Sequence, residues 1–123
     1  MNEAEESFVK NLGLCESLLQ DERKAIEASD AEAIDDILTH KEEAFRELSK
    51  AGDSLGYAPS ERAEFASRIE AIFSAQQDNL ELMGNVLSQQ NKETEEVRQG
   101  QARLRMVKGA YLPSSTGRDR SLN

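Results

Sequence analysis

The sequence predicts an all-α fold: an antiparallel three-helix bundle with a much longer third helix and an extended C-terminal tail. Apolar residues recur at three- and four-residue spacing through three long stretches. Two glycines and one of the two prolines fall together in AGDSLGYAPSER, residues 51–62, and the next proline is Pro113. Hydrophobic residues make up 37% of the chain, charged residues 32% and aromatics 5%, with no Trp, a composition suited to thin helical bundles rather than thick layered cores.

The first helix is expected over residues 3–28. Asn2 and Glu5 have the spacing of a capping box, and Phe8, Leu12, Cys15, Leu19 and Ile26 follow as one stripe widened by Leu18. Ser29 with Glu32 repeats the capping pattern, and Ile34, Ile37, Leu38, Phe45 and Leu48 form the face of a second helix over 30–50. The link is so short that these two helices must pack antiparallel. Residues 52–59 read as a loop and Ser60 as the next N-cap. Phe65, Ile69, Ile72, Phe73, Leu80, Met83 and Leu87 then mark a third helix over 60–107, with a tail over 108–123. Glu6/Lys10, Glu42/Arg46 and Glu64/Arg68 have the favourable acid-first i,i+4 order, each contributing a few tenths of a kcal/mol. At 1.5 Å per residue the helices span about 39, 32 and 70 Å, so the first two can cover only half of the third. The polar SQQNKETEEVRQGQAR, residues 88–103, lies in the half expected to be solvated.

The formal charge of -9 is divided unevenly. Residues 98–123 hold Arg98, Arg103, Arg105, Lys108, Arg118 and Arg120 against Asp119 alone, a net +5 that leaves −14 on residues 1–97. An acidic body argues against general nucleic-acid binding, which draws its affinity from Lys and Arg on phosphates. Cys15 is the one cysteine, which excludes an internal disulfide, and its leucine neighbours make it a buried small hydrophobe. The N-terminal MNEAEES lacks a basic flank and an apolar h-region, and no apolar run approaches the roughly 18 residues of a membrane span. A cytoplasmic location without stable membrane insertion is therefore expected.

No pattern for catalysis, cofactor or metal is found. His40 is the only histidine, and Ile37 stands where a ferritin-like iron site needs a Glu three residues earlier. A phosphate loop, paired-cysteine spacing or a nucleophile beside a base is not present in the sequence. Two charged residues interrupt the apolar stripes instead: Glu22 between Leu19 and Ile26, and Lys41 between Leu38 and Phe45. A hairpin turning near Ser29 could join them as a structural polar pair that fixes register; alternatively the lysine stem lies along the core with its head in water. Gln76 and Asn79, near the stripe of the third helix, either fix register or mark a groove left open for another helix.

The stretch LLQDERKAIEASDAEAIDDILTHKEEAFREL resembles the first half of the FlgN-like flagellar export chaperones, with Leu18, Leu19, Glu22, Ile26, Asp30, Ile34, Ile37, Lys41, Phe45 and Leu48 filling the frame. QQDNLELMGNVL resembles the family's Asn-containing helix, and VKGAYLPSSTG its Tyr, Pro and Gly after the last helix. The resemblance implies a cytosolic type III export chaperone that binds the C-terminal helices of hook-associated proteins, prevents their premature assembly and delivers them to the flagellar export apparatus. On that reading Val97, Leu104, Met106, Val107, Tyr111 and Leu112 are candidate client-binding residues, uncovered because their cover belongs to another molecule. The same tail could also fold back on the bundle or pair with a second copy. The alternative function is a homodimeric structural or regulatory bundle in which the overhangs of the third helix pair. An RNA adaptor using the basic tail has Tyr111 as its one aromatic among the basic residues.

Overall fold

The computed structural model describes residues 1–111, without the side chains of 101 and 103–111. The chain divides into two units, Met1–Val86 and Leu87–Asn123. Three α-helices, of 25, 23 and 49 residues, account for almost all of the described residues: α1 (Glu3–Glu27), α2 (Ala31–Asp53) and α3 (Ala63–Tyr111).

Local chemistry sets the ends of α1 and α2. The Asn2 side chain accepts from the Glu5 backbone N–H at 2.8 Å, and the Glu5 carboxylate accepts from the Asn2 N–H at 3.0 Å, so two of the donors orphaned at a helix start are satisfied reciprocally. At its other end α1 closes as a Schellman motif: the Asp30 N–H donates to Ala25 O and the Ser29 N–H to Ile26 O, which puts Ser29 in the left-handed region at φ 53°. The expected cap at Ser29 is thereby corrected. A residue spent on ending α1 is not available to start α2, and the Asp30 carboxylate caps α2 instead by accepting from the Ala33 N–H.

Two further boundaries differ from expectation at the second connection. Helix α2 runs through Gly52 to Asp53, and Phe8 and Pro59 pack against Gly52; a Cβ there would stand 3.4 Å from the Phe8 ring, in ordinary van der Waals contact. Ser60 is not a cap. Pro59, with its fixed φ, opens a single 3-10 turn, Pro59–Glu61, and the extended backbone of Arg62 separates that turn from α3. Gly56, at φ +80°, supplies the left-handed residue that turns the loop.

Within Met1–Val86 the helices run up, down and up. Cys15, Leu12 and Phe8 of α1 are buried together with Ala44 and Ala51 of α2, Leu55 of the loop, and Phe65 and Ile72 of α3. Phe8 and Phe65 meet with ring centroids 5.0 Å apart and planes tilted by 55°, within the favoured range for aromatic pairs. The backbones of α1 and α2 approach closely, whereas α3 reaches the pair mainly through long side chains. Those links include Arg68 to Glu16 and Asn79 to the Leu19 carbonyl, and Arg62, just ahead of α3, reaches Glu5. Arg68 was expected to pair with Glu64 along its own helix; it spans to α1 instead, and Arg62 takes Glu64. Arg46 likewise pairs with Glu43 rather than Glu42.

In Leu87–Asn123 the described part is helix α3 from Leu87 to Tyr111, and residues 87–99 are exposed throughout. Among the described residues no helix is long and apolar enough to cross a membrane.

Candidate partner-binding groove

The apolar stripe expected on α3 is two stripes. Phe65, Ile72 and Asn79, seven residues apart, face α1 and are buried. Phe73 and Leu80 repeat the same spacing one position further round, and they are 70% and 56% exposed. One narrow partner cannot cover both lines, because a coiled-coil seam is only about two positions in seven wide. Helix α2 shows the same division: Lys41, Ala44 and Ala51 point into the bundle, while Phe45 and Leu48 remain half-buried and Leu38 is exposed.

Between these uncovered lines lies a groove of about 880 Å³. Phe45, Leu48 and Gly52 of α2 form one wall, and Ile69, Phe73 and Gln76 of α3 form the other. Phe8 and Ile72 make the floor, and Tyr57 and Pro59 of the loop close one end. The opposite end, beyond Phe45 and Gln76, is open, and the exposed Leu38 and Leu80 lie one to two turns further along α2 and α3. From Phe45 to Asp53 the wall runs about 12 Å, or a little over two helical turns.

The closed end is held by a latch. The Tyr57 hydroxyl donates to Glu5 Oε2 at 2.8 Å, and Arg62 pairs with the same carboxylate while lying 4.6 Å over the Phe65 ring. The Glu5 carboxyl is held below its usual range, first by the Asn2 backbone N–H and then by the Tyr57 hydroxyl and Arg62. The ring of Tyr57 is thus fixed as a wall of the groove by a bond made on its outer side.

Near the open end a buried polar node joins all three helices. Lys41 Nζ donates to Glu22 Oε2 at 2.7 Å and to Gln76 Oε1 at 2.8 Å. Asn79 Nδ2 donates to Glu22 Oε1 and to the Leu19 carbonyl, each at 2.9 Å. The side chains of Lys41 and Glu22 are 6% and 7% exposed, so each charge depends on the other and on the two amides for its solvation.

The structure places the sequence-derived candidates as follows. Glu22 and Lys41 meet at the node. Val97 is 60% exposed, in Leu87–Asn123, beside Gln90, Glu93, Thr94 and Arg98. Leu104, Met106, Val107 and Tyr111 belong to α3 by backbone, but their side chains, like the whole of Leu112, lie outside the described residues. The exposed His40 sets its Nδ1 2.8 Å from the Asp36 carbonyl of its own helix. Sequence reasoning took Phe45, Leu48 and Phe73 for core and did not single out Tyr57. The signal available was the width of the α3 stripe, in which Ile72 and Phe73 are both apolar although adjacent residues cannot face one narrow partner. No protein family, curated protein or solved structure matches the chain.

Proposed function

We propose that this chain is a cytoplasmic chaperone of flagellar type III export, which holds the C-terminal amphipathic helix of a hook-associated protein in the α2–α3 groove. It keeps that client unassembled and presents it to the export apparatus, without cofactor or catalysis. The observation that supports helix binding is the groove: two helix walls about two turns long, with Phe73 70% exposed beside a floor that is already buried. An amphipathic helix lying there would complete a four-helix bundle, and covering a side chain such as Phe73 contributes about 1.5–3 kcal/mol. The rim selects the charge of the occupant. Asp53 lines the groove, and the exposed Glu42 and Glu70 stand one turn from Phe45 and Phe73, so a helix with basic flanks fits an acidic lip. The flagellar client is supplied by the resemblance of LLQDERKAIEASDAEAIDDILTHKEEAFREL and VKGAYLPSSTG to the FlgN-like chaperones.

Calorimetric titration of the full chain with C-terminal peptides of hook-associated proteins tests this. The expected result is a Kd of about 1 µM or tighter with a negative heat-capacity change, weakened at least tenfold by Phe73→Ser. Alanine at Leu104, Val107 and Tyr111 measures what the end of α3 adds. Absence of heat with every peptide, together with a tight dimer in sedimentation, would replace the chaperone by a self-assembling bundle.

A further inference from the structure

Gln76 is the one polar side chain shared by the buried node and the groove wall. A lysine ammonium can only donate, so the amide atom 2.8 Å from Lys41 Nζ is the oxygen and the NH2 is turned away from the node. Among the described residues that NH2 makes no hydrogen bond; on the half-buried wall of an open groove it is accessible to water. A purely apolar helix seated over Gln76 would strip that water and leave two donors unpaired, at a cost comparable to a lost hydrogen bond or more. Rotating the amide does not avoid the penalty, because it would point donors at an ammonium.

We infer that Gln76 is the specificity-determining residue of the groove: its NH2 selects a partner helix carrying one hydrogen-bond acceptor within an otherwise apolar face. This rests on the groove being a helix site, as proposed above. The opposite, closed end is lined by Phe8, Gly52, Tyr57 and Pro59 with the Asp53 carboxylate, which only accepts, so the two ends of the groove differ in hydrogen-bonding character. A helix with its acceptor at one end of its apolar face therefore fits in one direction and one register. Lys41 contributes by holding the oxygen, and Glu22 by holding Lys41; both are positioning residues for the amide.

The test uses a synthetic 21-residue amphipathic helix with leucines on its apolar face and lysines on its flanks. Methionine and methionine sulfoxide are compared at each of four apolar positions in turn. The two residues differ by one acceptor oxygen, which donates nothing. With the full wild-type chain, one position is expected at which the sulfoxide peptide binds at least as tightly as the methionine peptide. In Gln76→Leu the methionine form gains roughly tenfold at that position and the sulfoxide loses roughly tenfold relative to it. Gln76→Glu keeps an oxygen for Lys41 but removes the donors, so it also loses the tolerance for sulfoxide; this second variant serves if Gln76→Leu does not fold. A sulfoxide penalty equal at all four positions and unchanged in both variants overturns the inference while leaving a helix-binding groove. Failure of every peptide to bind the wild-type chain removes the groove reading itself.

Discussion

Toward α1, helix α2 presents Ala44 and Ala51, both buried, and the two backbones close on each other; toward α3 it presents Phe45 and Leu48, which stay half-buried beside a Phe73 that is 70% exposed. Both sides are apolar, so hydrophobicity alone does not distinguish a finished interface from an unfinished one. Side-chain size sets how closely two helices approach, and interdigitation decides whether the remaining space is filled. On the α1 side small residues are met by Phe8, Leu12 and Cys15. On the α3 side large residues stand opposite one another with an 880 Å³ groove between them.

The largest test of this contrast acts where the two sides join. Lys41→Met leaves Glu22 buried without its counter-ion and should cost about 3–5 kcal/mol in urea unfolding, whereas Glu22→Leu combined with Lys41→Met should recover most of that loss. If the single change were mild, the node would be open to water and the tight side less tight than described. Next, Leu12→Ala, in the filled interface, should cost about 3 kcal/mol, while Phe73→Ser, in the unfilled one, should change the unfolding free energy by less than about 0.5 kcal/mol. Comparable losses at the two sites would mean that Phe73 belongs to the protein's own core. The smallest effect concerns the turn that brings α1 and α2 together: Ser29→Gly relieves a left-handed serine and should stabilise the chain by about 0.5–1 kcal/mol, read from the urea midpoint. Destabilisation would show that the serine side chain holds the turn.

Much of this contrast is legible in the sequence for α1 and little of it for the α2–α3 side. Asn2 and Glu5 announce the start of α1, and the stripe Phe8, Leu12, Cys15 and Leu19 coincides with the buried face. These signals are local, and a capping box or a stripe needs no knowledge of the neighbours. The turn at Ser29 and Asp30 is ambiguous for the same reason. Both residues are good caps, and the choice falls to Asp30 because the end of α1 claims Ser29 for its left-handed position. The groove is less visible still. Periodicity reports which residues are apolar, not how far apart two helices settle, and that distance follows from Ala44 and Ala51 lying on one side of α2 and Phe45 on the other. Glu22 and Lys41 stand out as breaks in their stripes, yet the roles of Gln76 and Asn79 as further members of the node depend on where α3 docks.

Cys15 is fully buried at the centre of the filled side, and burial raises its thiol pKa. A thiol reagent can therefore reach the only sulfhydryl of the chain by waiting for the three helices to part. The rate of that reaction becomes an internal clock for opening, set by the protein without any added label. A helix seated in the groove would slow the clock although it never touches the sulfur, so occupancy on one side of α2 could be timed from the other.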